Sequence, residues 1–320
     1  MAVRDTPVVT GQVDVSQDES AGLRNKDRVE WPTLALLAGA YTLWGLGTTW
    51  AAAWWLPAGM ALVTLAVALH SSLCHEALHG HPFRSRWLNE ALVFPALALL
   101  VPYGRFRDTH LAHHHDEILT DPYDDPETNY LDPRKWARLP RWQQALLIAN
   151  NTLLGRMLLG PAIGQVAFMA GDWRLVMAGA PGVLRAWMWH VPAVGVVLWW
   201  LLAVGQMPFW AYLLASYAAL SVLKIRTFLE HRAHERARAR TVIIEDRGPL
   251  ALIFLNNNLH VVHHMHPRVA WYKLPALYAR HRDHYRRRND AYVYRSYREI
   301  FRQYFLRAKD PVPHPIWRAR

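Results

Sequence analysis

Residues 31–75 read WPTLALLAGAYTLWGLGTTWAAAWWLPAGMALVTLAVALHSSLCH, a run with no Asp, Glu, Lys or Arg. A bilayer core about 30 Å thick takes about 20 apolar residues of helix, so the run accommodates two spans. They are expected at about 31–50 and 54–74, turning near 48–53, with Trp44, Trp50, Trp54 and Trp55 as interfacial anchors. The competing reading is one buried hairpin in a large water-soluble protein. Helices apolar on every side over such a length are unusual in water.

Residues 186–223 are again free of those four charged types, with only His190 titratable near neutral pH. A second hairpin is expected there, with spans at about 186–204 and 208–225 that turn at Gly205-Gln206-Met207-Pro208. Between the hairpins, residues 91–103 are apolar but interrupted by Pro95 and Pro102, which predicts a re-entrant or interfacial helix. Residues 119–127 form an acidic, Asp-Pro-bearing loop. Residues 136–180 carry amphipathic pieces, such as 142–159, expected to lie along the membrane surface. Residues 1–28 read as a disordered tail without a secretory signal, 29–310 as one membrane domain, and 311–320 as a coil.

The chain has 320 residues, is 52% hydrophobic and carries a net charge of +11, which fits an anionic membrane face better than nucleic acid. The basic residues flank apolar runs, and no nucleic-acid-binding motif is present. Arg24, Lys26 and Arg28 precede the first span, Arg84 and Arg86 follow the second, and a cluster from Lys224 to Arg240 follows the fourth. The inter-span turns have no basic residue, so the termini are expected in the cytoplasm and the protein in the inner membrane. The expected architecture is all-α and integral to the membrane: four transmembrane helices in two hairpins under a cytoplasmic helical cap. Cys74 is the only cysteine, which excludes a disulfide framework and a multi-thiolate metal site.

The chemistry lies at the ends of these runs. Asn258-Leu259-His260-Val261-Val262-His263-His264 places three imidazoles on one helical face, and His110, His113 and His114 repeat the spacing. His75 and His79 form a looser pair. Buried rings each need a partner, and metal ligation supplies one for all of them. With His231, the three boxes offer nine candidate ligands, too many for one metal and enough for two with open positions. Glu76, Asp108, Asp116, Glu230 and Glu235 lie in or beside the boxes, placed to accept hydrogen bonds from ligating rings. Asn256, Asn257 and Asn258 sit about one turn before His260; Asn258 is the candidate to bond a metal-bound water, with a helix cap as the competing role. His70 lies about 140° around the helix from His75 and is expected to be a hydrogen-bonded wall residue.

His75-Glu76-Ala77-Leu78-His79 is also the H-E-x-x-H pattern of zinc proteases, in which the glutamate activates water. That reading leaves two further histidine boxes unexplained. A histidine-rich metal transporter is the non-enzyme rival, but its ligands belong at mid-membrane depth rather than at span ends.

The boxes His75-x3-His79, His110-x2-His113-His114 and His260-x2-His263-His264, with two pairs of spans, resemble the membrane fatty acid desaturase superfamily, which includes alkane hydroxylases and carotenoid oxygenases. The likeness extends from about Trp31 to Tyr285, and Glu230-His231 resembles the extra histidine of alkane hydroxylases. The resemblance implies an oxidoreductase with two iron ions held by His75, His79, His110, His113, His114, His231, His260, His263 and His264. It implies O2-dependent desaturation of a fatty acyl chain, with hydroxylation of a lipid, alkane or carotenoid as the alternative. No His-Pro-Gly-Gly stretch of a fused haem domain occurs, so a separate ferredoxin- or rubredoxin-like electron donor is expected.

Overall fold

Pro32 and Pro57, in the first turns of two long helices, fix backbone where amide donors have no intrahelical acceptor. The computed structural model describes residues 29–115 and 117–317; the tail over 1–28, Asp116 and residues 318–320 lie outside the described residues. Helix α1 (Trp31–Leu46) continues through a π turn, Gly47–Ala51, and a short Ala52–Trp54 turn. Extended backbone at Trp55 ends it and leads into α2 (Leu56–Leu78). The two helices touch at Gly59, where a Cβ would stand 2.7 Å from the Gly47 carbonyl oxygen and 2.8 Å from Ala52 N.

There follow α3 (Arg86–Leu92), α4 (Tyr103–His113), α5 (Pro133–Arg138) and α6 (Arg141–Asn150). The long helices α7 (Leu153–Met177), α8 (Val183–Ala203) and α9 (Phe209–Thr227) complete the apolar part. Helix α2 packs between α1 and α9, and α7 lies against α9. Trp44, Val63, Val67, Leu97, Val197 and Tyr212 are among the buried side chains of this core. Among the described residues, α2, α7 and α8 are long and apolar enough to cross a membrane. Helix α1 has 16 residues in regular α geometry, and α9 carries Lys224 and Arg226 in its last turn.

Two expectations need correction. Residues 153–177 form one continuous 25-residue helix rather than separate pieces, with Val166, Met169 and Trp173 exposed along it. Two of its charges are satisfied inward. Asp172 accepts from Arg105 Nε at 3.0 Å and Trp187 Nε1 at 2.8 Å, and Arg156 Nε donates to the Asn150 carbonyl at 2.9 Å. Residues 93–102, expected to be helical, are largely irregular. Flanking helices satisfy this backbone: Tyr212 Oη donates to the Leu97 carbonyl at 2.7 Å, His190 Nε2 to Leu99 at 2.9 Å and Gln165 Nε2 to Leu100 at 2.9 Å. Irregular chain is tolerated in apolar surroundings only when its polar groups are met in this way.

Beyond α9 the chain turns polar and builds a second layer. It contains α10 (Pro249–Ile253), α11 (His260–Met265), α12 (Leu274–Arg280), α13 (Arg282–Arg288) and α14 (Tyr297–Tyr304). Strands β1 (Ile243–Ile244) and β2 (Val293–Tyr294) pair in parallel. Val261 and Val262 are buried with Ile243, Leu274, Leu277 and Tyr285, which fixes the rotation of α11. Its three histidines therefore share the opposite face.

Candidate metal centre

Four pieces of chain bring the imidazoles together. His75 lies in the last turn of α2 and His79 caps that helix; His110 and His113 end α4, which His114 caps. His231 follows α9 in irregular chain, pinned by a bridge to Thr241. His260, His263 and His264 come from α11.

The nine rings form two groups. His75, His79, His110, His114 and His263 make the first, and His113, His231, His260 and His264 the second; within each group the nitrogens lie within 4.8 Å of one another. His114 and His264 stack with centroids 4.4 Å apart and join the two groups.

Several Nε2 atoms face each other directly. His114 Nε2 is 2.9 Å from His110 Nε2 and 3.1 Å from His263 Nε2. His231 Nε2 is 2.8 Å from His113 Nε2 and 3.1 Å from His260 Nε2. Each facing pair can share only one proton, so this geometry crowds lone pairs. Adjacent ligands about 2.1 Å from one ion would stand about 3 Å apart, which matches these spacings. His75 Nε2 and His79 Nε2 are buried without any hydrogen-bond partner. A cation in each group would satisfy all of these atoms, so the residues fit a metal pair.

The far side of several rings is held by acceptors. His113 Nδ1 meets Asp125 Oδ1 at 2.7 Å, His110 Nδ1 meets Glu127 Oε1 at 3.0 Å, and His260 Nδ1 meets Asn257 Oδ1 at 3.0 Å. Such contacts keep the proton on Nδ1 and aim Nε2 inward. Asp125 is itself held by the amides of Thr120 and Glu127, at 2.8 and 2.9 Å.

Of the five carboxylates proposed from sequence as acceptors, Glu76 is nearest a ring, its Oε1 lying 3.6 Å from His75 Nδ1 while its Oε2 accepts the Trp271 amide at 3.2 Å. Glu230 acts at one remove, 3.3 Å from Asn257 Nδ2 and 4.0 Å from His260 Nδ1. Asn258 bonds the carbonyls of Ile244 at 2.6 Å and Asp246 at 3.1 Å, a staple beneath α11 rather than a contact within either group. Asp116 lies outside the described residues. Asp108 pairs with Arg107 at 2.7 Å, and Glu235 is exposed. His70 meets Tyr41 Oη at 3.2 Å, in keeping with a wall residue, and His81 is held by Glu30 at 2.8 Å.

Sequence reasoning missed Asp125 and Glu127 as ring partners, and it singled out Asn257 only within the Asn256–Asn258 trio, for bound water or a helix cap rather than for the His260 ring. The signal available for the first two was an acidic loop 12 to 17 positions beyond His110 and His113, close enough to fold back.

Burial keeps most rings neutral. His260 and His263 are held well below the ordinary imidazole range by burial first and neighbouring rings second, and His114 and His231 follow the same pattern. His113 is the exception. Burial would lower it, but Glu127 and Asp125 outweigh that effect and raise it to about 9. Burial would likewise raise Glu127, yet His113 and His110 hold it well below the carboxylate range. The second group thus carries a place for positive charge, which a metal ion can fill instead of a proton.

Two clusters of inward-aimed imidazoles, backed by carboxylates and set at the ends of helices, can hold metal. No curated protein sequence gives a match. The family model for fatty acid desaturases matches residues 48–296, a span that includes all nine histidines, and the chain belongs to that family of membrane oxidoreductases.

Proposed function

We propose that the protein is a di-iron oxygenase that desaturates a fatty acyl chain with O2 and two electrons from a separate ferredoxin- or rubredoxin-like carrier. The observation that carries this reading is the division of nine buried or half-buried histidines into two metal-sized groups within a fatty acid desaturase chain. The chemistry expected of bound iron is O2 reduction coupled to hydrogen removal from an unactivated C–H bond. Desaturation consumes O2, two electrons and two protons and releases two waters. The chain's own residues prepare the site. Asp125, Glu127 and Asn257 fix the rings, while Leu69 and Leu73, buried on α2 shortly before His75, contribute to an apolar wall that excludes water.

Hydroxylation is the second reading, and His231 favours it. This histidine completes the second group from outside the three boxes, where alkane hydroxylases carry an extra one. A zinc protease fits less well. Glu76 stands behind His75 on the Nδ1 side and accepts the Trp271 amide, so it does not face a nucleophilic water beside Nε2.

In this reading the termini and the histidines face the cytoplasm, so reporters near Thr49 and Gln206 should read extracytoplasmic. The functional test is mass spectrometry of lipids from a host expressing the chain. Desaturation yields oxygen-dependent products lighter by two hydrogens, and hydroxylation yields products heavier by one oxygen. A host lipid profile unchanged when electron donor and O2 are supplied contradicts both.

A further inference from the structure

The segment that follows α14 crosses back over the second histidine group. The Lys309 side chain is buried there, and its Nζ donates to the backbone carbonyl of His231 at 3.0 Å. The ammonium lies 3.3 Å from Asp310 Oδ2, which also accepts Tyr130 Oη at 2.5 Å; Tyr130 Oη in turn accepts the Ala233 amide at 3.0 Å. One closed set of contacts therefore joins residues 130, 231, 233, 309 and 310.

The same segment also ties down the acidic loop. The Leu131 amide donates to the Val312 carbonyl at 3.0 Å, and the His314 amide donates to the Leu131 carbonyl at 2.8 Å. His314 Nε2 meets Thr120 Oγ1 at 3.3 Å. Thr120 lends its amide to Asp125, the carboxylate that holds His113. His231 and the acidic loop are both irregular backbone, without a helical ladder to fix them. A lysine is rarely buried unless its charge is met, and here the carbonyl that meets it belongs to a member of the second group.

We propose that Lys309 is a positioning residue for the second histidine group, holding His231 through its carbonyl with the Asp310–Tyr130 pair as its brace. The inference rests on the metal reading of the two groups. It predicts that the groups respond unequally to a change some 80 positions beyond His231 in the chain.

The test is metal retention by the full-length protein in detergent, loaded with iron and exposed to graded chelator. Mössbauer spectra of the 57Fe-loaded protein count the sites. Wild type should show two iron components. Lys309→Met should lose one component at about 10–100-fold lower chelator concentration, the usual effect of removing an outer partner of a ligand, and keep the other. Lys309→Arg, which retains a donor, should recover most of the loss, and Tyr130→Phe should reproduce part of it. If Lys309→Met retains both irons like wild type, or an inserted variant loses both in step, the positioning role is wrong. Should Lys309→Met fail to insert, Tyr130→Phe decides the matter by the same criterion. A wild-type protein that binds no metal pair would defeat the functional reading and this inference with it.

Discussion

His75, His79, His110 and His114 come from the ends of two helices, α2 and α4, whereas His231 and the groups that back His113 come from irregular chain. The first histidine group is thus placed mainly by helix packing, through α2, α4 and the buried valines beneath His263. The second depends on hydrogen bonds: Asp125 on His113, Asn257 on His260 and Lys309 on the His231 carbonyl. Packing resists the loss of any one polar contact, because many small contacts share the burden. A ring held by one acceptor does not. The second group should therefore be the more sensitive to single polar substitutions and to pH.

The largest effect expected is that of His231→Ala. It should abolish turnover and remove one metal per chain while the protein still inserts. His190→Ala offers the contrast, since it removes the partner of the Leu99 carbonyl, far from either group in its contacts. That change should cost about 1–3 kcal/mol of stability and leave both metals bound. Near-normal turnover in His231→Ala would sink the assignment of this residue to the centre.

Asp125→Asn comes next. It replaces the carboxylate on His113 Nδ1 and weakens a loop that Asp125 organises, so metal affinity at the second group should fall about 10–100-fold. Equal losses from both groups would show that the loop serves the centre as one unit.

The pH dependence separates the groups by sign. In metal-free protein His113 is raised to about 9, so its protonated form adds stability that is full below the ordinary imidazole range and lost as pH rises through about 9. Metal competes with that proton, and binding at the second group should tighten between about pH 6.5 and 9. His114 and His263 are lowered, so their contribution is present above the imidazole range and lost as pH falls below it. Binding at the first group should then be nearly flat over the same window. Parallel pH curves for the two groups would remove this distinction.

The smallest effect concerns the electron donor. Arg287 is exposed on α13, with Arg286 beside it, on the layer that covers the second group. Reversing both to Glu should slow turnover a few-fold at low donor concentration and flatten its salt dependence, with recovery at saturating donor. If donor kinetics stay unchanged and membrane association weakens instead, this face binds lipid head groups.

Much of this was legible in the sequence because helical spacing is rigid. Histidines at i, i+3 and i+4 must share a face, and charge-free runs must be buried or in lipid. Both rules depend on local chain alone. Helix α7 was missed because Arg156, Asp172 and Arg174 break its apolar run, and only the fold shows that Arg156 and Asp172 are met from within the protein. Residues 93–102 misled for the opposite reason. Their composition is apolar, but prolines and side-chain donors from three other helices favour irregular chain. Asp125 and Lys309 act across 12 and 78 positions on partners that no periodicity connects.

The central claim, a pair of irons held by two histidine groups, is tested most directly by counting metals in the purified full-length protein. Metal analysis should give two irons per chain, falling to one in His231→Ala. A single zinc per chain, unaffected by His231→Ala, would contradict the account and return the His75–His79 box to a hydrolytic reading.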